Sequence, residues 1–480
     1  MHKLAALFFF YCLISNDLKG QTEKQNNAIA VIKKKVMQEL DSKQKIYKDI
    51  ALQIWNYAEV RFKEVKSSAL LQKALNDNGF QMKIGVAGMP TAFIASYGSG
   101  KPVIGMLAEF DALPGLAQEA IPEKKMIEGK IAGHACGHHL LGTGSVAAAI
   151  EIKKLLEQQK FSGTIRLYGC PAEEGGNGKV FMVKEGLFND VDVIMQWHPY
   201  DYNKATLKTF LANLNVKFRF KGISSHAGAA PEKGRSALDA VEAMDYMVNM
   251  MREHVPQETR IHYVITNGGK TPNVVPDFAE VQYTIRHPKK EEVQKIFERV
   301  VKAAEGAGLG TGTTMDYELI GGVHDMLLNY TLAEAMHKNL EKVGGVTYTA
   351  EEIAYGKKLQ ATFLDASPPI ESAAEIKAFK LETFSGSTDV GDVSYVVPVV
   401  GLNAATWIPG TPVHSWQAVA CGGTEIGIKG MMVAAKAMAL TAIDLYINPA
   451  LIIKANEEFL KAKGDYKYKS LVENNKPAIN

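Results

Sequence analysis

The sequence of 480 residues has the composition of an ordinary globular protein, with 46% hydrophobic and 22% charged residues. This length allows about two or three domains, and a core of that size needs no help from disulfide bonds. The formal net charge is only +2. Because no long block of lysine and arginine occurs, the sequence excludes the electrostatic pattern of a nucleic-acid-binding protein and favours a small molecule or peptide as the ligand.

The first twenty residues predict an export signal. Lys3 precedes the apolar run 4–14, and the polar segment 15–20 follows it. The run is too short to cross a bilayer, so the mature chain should be periplasmic or secreted, without a transmembrane segment. Two alternatives are a buried N-terminal helix and a lipid anchor on Cys12, whose preceding residues do not fit the usual cleavage pattern.

Removal of the signal leaves three cysteines, Cys136, Cys170 and Cys421. An odd number cannot all pair as disulfides in an oxidising compartment. A bridge between Cys170 and Cys421 stays open at this point. We expect Cys136 to be the thiol with another role.

Hydrophobic periodicity predicts an α/β domain. Apolar residues at helical spacing, from Ile29 to Leu40 and again from Ile46 to Ile54, indicate two amphipathic helices at the start of the mature chain. Apolar runs such as 103–107 and 191–195 then alternate with helical stretches such as 142–156. This pattern is typical of a mostly parallel sheet with helices on both faces. We assign residues 21–209 and 325–480 to this discontinuous catalytic domain, and expect the polar tail 449–480 to wrap the surface.

A different pattern interrupts it between residues 210 and 324. Val216, Phe218 and Phe220 alternate with charged residues, as a strand with one solvated face requires. Further strand and helix patterns follow in the order β-α-β-β-α-β, which predicts an inserted ferredoxin-like domain. Candidate metal-binding residues lie on both sides of this insertion.

Zinc-type ligands are densest in His134-Ala135-Cys136-Gly137-His138-His139, just before a predicted helix. Thiolate and imidazole both bind zinc, although such a cluster alone also fits packing or helix capping. Further candidates are Glu173 and Glu174, His198 and His414. The glutamates and His198 follow predicted strands, His414 lies near the C-terminus, and open α/β sheets bind ligands at the carboxyl ends of their strands. Singly, each also fits a solvated acidic loop or a structural histidine.

Seven motifs in order, AEFDALPG, GHACGHH, PAEEGG, WHP, SSHAGAAP, PNVVPD and PVHSW, resemble the aminoacylase and hippurate-hydrolase group of zinc-peptidase-like amidohydrolases, which includes carboxypeptidase G. The resemblance covers nearly the whole mature chain. The version EFDALPG is most similar to the aminobenzoyl-glutamate utilization protein B subgroup, whose members split aminobenzoyl-glutamate. Amide hydrolysis of an N-acyl amino acid or small peptide is therefore the expected activity.

The resemblance implies a site for two divalent metal ions, zinc or manganese. Its implied ligands are Cys136, His138, Glu174, His198 and His414. Glu173 would be the general base, since metals lower the pKa of water and a carboxylate can pass its proton to the leaving amine. Asp111 would orient one of the metal ligands.

The resemblance also implies roles for the inserted domain, as a lid and as the surface of a homodimer. His226 would reach the site of a neighbouring subunit and stabilise the oxyanion. Asn273 and Arg286 match positions that contact substrate, and arginine suits bidentate capture of a carboxylate.

Two departures from the family limit the prediction of substrate. His139 stands where the family usually has aspartate, and the relatives that split aminobenzoyl-glutamate are typically cytoplasmic, whereas this chain has an export signal. An exported dipeptidase or N-acyl-amino-acid deacylase would use the same residues. A non-enzymatic acyl-amino-acid binding protein is the alternative from another class, although it would not need Glu173. The sequence also leaves open whether a second, different subunit is required.

Overall fold

The computed structural model describes residues 27–479. The predicted export signal lies outside these residues. The described chain forms two sheets with separate hydrophobic cores, one for each predicted domain.

The larger sheet has seven strands, and its centre is parallel. The strands are β1 (Gln81–Ile84), β2 (Phe93–Ser99), β3 (Val103–Glu109), β6 (Gly163–Cys170), β7 (Val193–Tyr200), β8 (Lys204–Thr206) and β13 (Val399–Ala405). The short strands β4 (Leu113–Pro114) and β5 (Ala132–Gly133) form a separate ribbon. The order in the sheet is β1-β2-β6-β3-β7-β13-β8. Strands β6, β3, β7 and β13 are parallel, while the pairs at both edges are antiparallel, which confirms the predicted mostly parallel centre.

Helices cover this sheet and complete its core. Before the insertion they are α1 (27–42), α2 (Gln44–Tyr57), α3 (Val65–Asp77), α4 (His138–Glu157), α5 (Glu173–Gly176) and α6 (Gly178–Lys184). After it they are α9 (Tyr330–Val343), α10 (Ala350–Gln360), α11 (Val390–Ser394), α12 (Trp416–Gly422), α13 (Glu425–Ile447) and α14 (Pro449–Lys463). Among the described helices, α13 alone is long and apolar enough to cross a membrane, but 89% of its most apolar window is buried inside the fold. Its composition is that of a core helix.

Helix α4 packs closely on the sheet because glycines replace larger side chains at its contacts. A Cβ at Gly142 would lie 2.6 Å from the carbonyl oxygen of Glu109, and one at Gly144 would lie 2.9 Å from the ring of Trp197. The Trp197 indole donates a hydrogen bond to the Leu141 carbonyl at 3.0 Å. These contacts fix the first turn of α4, and with it His138, against the ends of β3 and β7.

The inserted domain has the predicted order β-α-β-β-α-β. Its elements are β9 (Ala212–Lys221), α7 (Ala237–Met251), β10 (Arg260–Asn267), β11 (Phe278–His287), α8 (Lys290–Thr311) and β12 (Thr314–Val323). The strands form an antiparallel sheet in the order β10-β11-β9-β12. On β9, the buried Val216, Phe218 and Phe220 alternate with half-buried charged residues, and both helices pack on the apolar face. The alternation in the sequence was sufficient to predict this sheet.

Three expectations need correction or refinement. The tail, expected to wrap the surface, is partly built into the fold, because Pro449–Lys463 forms α14, and Leu471 and Val472 then bury against the core of the inserted domain. The bridge between Cys170 and Cys421 is absent, since all three cysteines in the described residues are free and buried. His198 does not follow β7 but lies within it.

Candidate metal centre and substrate cleft

The predicted ligands meet at the carboxyl end of the parallel strands. Asp111 follows β3, Glu174 follows β6, His198 lies near the end of β7, and His414 lies in the loop after β13. His138 is the first residue of α4. One edge of the sheet therefore brings together side chains from widely separated parts of the chain, as parallel strands require.

Cys136 belongs to two groups of potential metal ligands. It lies with His138 and His198 in one group and with Glu174 and His414 in the other, and the ligand atoms of each group lie within 4.8 Å of one another. The Cys136 Sγ is 3.3 Å from His198 Nε2, and His414 Nε2 is 3.2 Å from Glu174 Oε1. This arrangement fits two metal ions with a shared thiolate, and all five predicted ligands are present.

Residues with a positive φ angle lie beside or among the candidate metal ligands and set the direction of their side chains. Gly137 has φ of +76°, and a Cβ there would lie 2.7 Å from Pro199, so only glycine fits between the two histidine-bearing segments. His414 itself has φ of 57°, and Ala172, just before Glu173, has φ of 59°. Left-handed residues other than glycine carry strain and cluster at functional sites.

Asp111 holds two of the candidate ligands in place. Its Oδ1 lies 2.9 Å from His138 Nδ1, and its Oδ2 accepts a hydrogen bond from the Glu174 backbone N–H at 2.8 Å. The contact at Nδ1 turns Nε2 of His138 toward the cluster, which is the geometry that an orienting role for Asp111 requires.

Several buried polar atoms of the cluster have no hydrogen-bond partner within the described residues. They include His138 Nε2 and Glu174 Oε1, which lie 3.2 Å from Glu109 Oε2 and His414 Nε2 respectively without forming a hydrogen bond. Burial also raises the pKa of the Cys136 thiol well above its ordinary value, and burial together with nearby His138 lowers the pKa of His198 to about 4. A neutral imidazole is ready to bind metal, whereas a buried thiolate needs a cation beside it. The residues therefore fit a pair of divalent ions.

Glu173 lies beside the ligands but belongs to neither group that contains Cys136. It forms a third group with Glu109 and His138. Burial raises the pKa of Glu173 well above its usual range, and the neighbouring carboxylates Glu109 and Glu174 raise it further. Bound cations would lower the pKa of Glu173 again. With its pKa set by these opposing effects, Glu173 would be a carboxyl group able to exchange a proton beside the five candidate ligands.

A buried ion cluster next to Glu173 was missed by the sequence reasoning. Lys179 is fully buried, and its Nζ lies 2.5 Å from Glu109 Oε1 and 2.7 Å from Asp389 Oδ1. Asp389 also accepts the Lys179 backbone N–H at 2.9 Å. The other oxygen of Glu109 lies 3.2 Å from His138 Nε2. The sequence contains one signal of this ion cluster, a lysine in the otherwise apolar segment 179–183.

The residues predicted in the inserted domain divide into two sets. Arg286 lines the cleft above the metal ligands, where its Nη1 donates to Ser387 Oγ at 3.2 Å. His226 and Asn273 instead lie exposed together at the outer end of this domain, where the Ala227 N–H donates to the Asn273 carbonyl at 3.0 Å. Within a single described chain, these two residues do not join the cluster.

His139 takes no part in the ligand groups. It is fully buried, and its Nε2 lies 2.9 Å from the carbonyl oxygen of Gly422. Its ring packs against His134, with the centroids 4.8 Å apart. Burial lowers the pKa of His139 well below its ordinary value, so His139 is a neutral packing residue.

The cleft itself is a cavity of about 410 Å³ between the two domains. The catalytic domain contributes metal ligands and Tyr200, the inserted domain contributes Asn213 and Arg286, and residues 384–388 close one side. A cavity of this size suits a small molecule or a short peptide.

Replacing Lys179 with methionine should test the buried ion cluster. The variant leaves Glu109 and Asp389 buried without a cation, so we expect the free energy of unfolding to fall by about 3–5 kcal/mol in urea denaturation. Lys338→Met is the matched control, because Lys338 forms only an exposed pair with Glu334 and its loss should change stability little. Equal effects of the two substitutions would contradict the importance of the cluster.

Comparison with known proteins agrees with this geometry. Residues 212–311 match the peptidase dimerisation domain of the M20 type. The chain is 43% identical over 439 residues to a subunit of the p-aminobenzoyl-glutamate hydrolase of Escherichia coli, covering 86% of this chain and 91% of that protein. It is 29% identical to the Xaa-Arg dipeptidase of Mus musculus, over 90% and 93% of the two chains.

The fold is also that of a solved relative. The YXEP protein of Bacillus subtilis, described as a dinuclear metal-binding peptidase from the M20 family, aligns with a TM-score of 0.57 at 18% identity, over 85% of this chain and 99% of that one. At that identity the likeness concerns the fold. Together with the close sequence relative, it establishes that the chain belongs to the M20 family of metal-dependent peptidases and amidohydrolases, and that it is a hydrolase of amide bonds.

Proposed function

We propose that the chain cleaves the amide bond of N-acyl amino acids, with aminobenzoyl-glutamate as the first candidate substrate. The observation that carries this proposal is the placement of Glu173 beside two ligand groups that share Cys136. The 43% identity to a subunit of p-aminobenzoyl-glutamate hydrolase supports the choice of substrate. All five candidate ligands come from one chain, so a second, different subunit is not needed to supply them.

Cys136, His138 and His198 would hold one ion, and Cys136, Glu174 and His414 the other. Zinc and manganese are our candidates, since the donors combine sulfur, nitrogen and oxygen. When bound, such ions supply Lewis acidity, which favours ionisation of a nearby water and stabilises negative charge on the amide oxygen.

Glu173 would take the proton of the attacking water and deliver it to the leaving nitrogen. Asp111 would keep His138 and the Glu174 backbone in position during this exchange, through its two hydrogen bonds. Arg286 would bind the α-carboxylate of the substrate, because the described residues place no carboxylate within 4.0 Å of its guanidinium.

We further propose a homodimer formed through the inserted domain. Large apolar side chains are exposed on α7 and on the edge strand β10, where Tyr246 is 67% and Val264 is 57% exposed. An unpaired strand edge beside an apolar helix face is a ready surface for a second copy. In such a dimer, His226 and Asn273 at the outer end of one inserted domain would complete the cleft of the other chain.

Export to the periplasm or outside the cell remains our proposal from the sequence of residues 1–20, as do the domain limits of 21–209, 210–324 and 325–480. In an oxidising compartment, bound metal would protect the Cys136 thiolate from oxidation.

Dipeptide hydrolysis is the second candidate function. The similarity to an Xaa-Arg dipeptidase over 90% of this chain supports it, and the cleft would admit a dipeptide. The alternative of a binding protein without turnover is disfavoured, because the similar proteins are named hydrolases or dipeptidases.

Substitutions at the centre should separate the base from the ligands. We expect Glu173→Gln to retain both metal ions while losing at least about 1,000-fold in kcat, because only the proton carrier is removed. Cys136→Ser and Glu174→Gln should lose metal as well. Metal content by elemental analysis, with turnover of aminobenzoyl-glutamate and a dipeptide panel, checks this division, and equal metal loss in all three variants would contradict it.

Absence of any amide hydrolysis by metal-loaded wild-type protein would refute the proposed function.

Mixed dimers should test the role of His226. His226→Ala and Glu173→Gln proteins should each be inactive, but a mixture that exchanges protomers should regain up to about a quarter of wild-type activity, because half of the chains pair with the other variant and each mixed dimer has one intact site. The exchange itself can be verified by mass spectrometry. No recovery in verified mixed dimers would exclude a contribution from the second chain.

A further inference from the structure

A second cationic side chain, Lys208, lines the cleft on the catalytic-domain side. Its side chain is largely buried, with 7% of the residue exposed. Three aromatic rings surround the ammonium group. The Nζ lies 3.8 Å from the ring centroid of Phe384, 4.9 Å from that of Tyr200 and 6.0 Å from that of Phe210.

Lys208 lacks an anionic partner among residues 27–479. No carboxylate lies within 4.0 Å of its Nζ. The two carboxylates that act electrostatically on Lys208, those of Glu382 and Asp201, have other partners. Glu382 pairs with Lys204 at 2.6 Å, and Asp201 accepts a hydrogen bond from the Gly410 N–H at 2.8 Å. Burial lowers the pKa of Lys208. Aromatic faces compensate a buried ammonium only partly, so this position favours an anion supplied from the cleft.

The backbone holds Lys208 at a fixed place relative to the metal ligands. Thr209 N–H donates to the Glu382 carbonyl at 3.0 Å, and Leu211 N–H donates to the Gly386 carbonyl at 2.9 Å. Tyr200, which contacts Lys208, is two residues beyond His198 on β7, and both line the cleft. Two residues along a strand span roughly 7 Å on one face. The ammonium therefore lies on the order of 10 Å from the metal ligands, within reach of a charged group on a bound substrate.

The segment 384–388 connects this lysine to the other cation of the cleft. Phe384 packs on Lys208, whereas Ser387 accepts a hydrogen bond from Arg286. The cleft thus presents two separated positive charges to its ligand. A substrate with a single carboxylate would satisfy only one of them.

We propose that Lys208 is a specificity-determining residue that binds a second carboxylate of the substrate, beyond the α-carboxylate held by Arg286. This inference rests on the proposed function and deepens it. It assigns the substrate class as acyl-amino acids with two carboxylates, of which one sits among Tyr200, Phe210 and Phe384. The second carboxylate could belong to the amino-acid half, as in a glutamate side chain, or to the acyl half, as in a succinyl group.

Two matched substrate pairs test the proposal on the metal-loaded wild-type protein and on Lys208→Met. The first pair is N-benzoyl-glutamate and N-benzoyl-glutamine, and the second is N-succinyl-alanine and its neutral succinamoyl analogue. We expect wild-type kcat/KM to favour the acidic member of one pair by about 10- to 100-fold, as the loss of a charge-assisted contact implies. Lys208→Met should abolish that preference, mainly through KM, and the pair affected identifies the half that carries the carboxylate.

Lys290→Met is the matched control, since Lys290 is also a buried lysine over aromatic rings, those of Tyr395 and Tyr466, and does not line the cleft. It should keep the preference of the wild-type protein. Lys208→Gln replaces the methionine variant if thermal unfolding shows that Lys208→Met is not folded. A preference that survives removal of Lys208, or no preference in either pair, would overturn the proposal.

Binding measurements that need no catalysis test the role of Lys208 independently of the proposed function. Calorimetric titration with L-glutamate and L-glutamine should show tighter binding of glutamate to the wild-type protein, and a loss of that difference in Lys208→Met, if the carboxylate belongs to the amino-acid half. If the carboxylate belongs to the acyl half, succinate should bind the wild-type protein more tightly than succinamate, and Lys208→Met should lose that difference. These measurements hold even if no amide is cleaved, in which case the proposed function fails and the role of Lys208 is still decided. No difference in either titration would count against Lys208.

Discussion

The site depends on one electrostatic constraint, the burial of several acidic and metal-binding groups at the same edge of a sheet. Cys136 is shared by two ligand groups, Glu173 and Glu174 are adjacent, and Glu109 lies beside His138. Charged forms of such groups cannot be buried together unless cations compensate them. Lys179 pairs with both Glu109 and Asp389 but supplies only one positive charge for the two carboxylates. The remaining groups, around the Cys136 sulfur, can carry their negative charges together only if further cations compensate them.

The scaffold satisfies this constraint by bringing rigid elements close together. Glycines at 142 and 144 let α4 approach the sheet, and Gly137 lets the Cys136 segment pass against Pro199. Strand ends and the first turn of a buried helix hold candidate ligands in more sharply defined positions than free loops do. His414 is the exception, since it lies on a loop with a left-handed backbone and its side chain is 49% exposed.

Much of the fold, and the meeting of the candidate ligands at one edge of the sheet, could be predicted from the sequence. Alternation along β9 predicted the inserted sheet, and the apolar runs before Glu173 and His198 predicted their place at one edge, because both patterns are local. The Lys179 cluster could not be predicted, since its partner Asp389 is 210 residues away and only the tertiary fold joins them. Lys208 was missed for the same reason, because its aromatic surroundings come partly from Phe384. The roles of His226 and Asn273 came from family resemblance, because neither residue lies near the candidate ligands in the sequence or in a single chain.

The central claim is that one thiolate is shared by two metal ions, and anomalous diffraction from crystals of the metal-loaded protein tests it most directly. Data collected at the absorption edges of zinc and manganese would locate each ion and its ligands. Our account predicts two peaks per chain on either side of the Cys136 sulfur, one near His138 and His198 and the other near Glu174 and His414. A single peak, or two peaks of which one lacks Cys136 as a ligand, would contradict it.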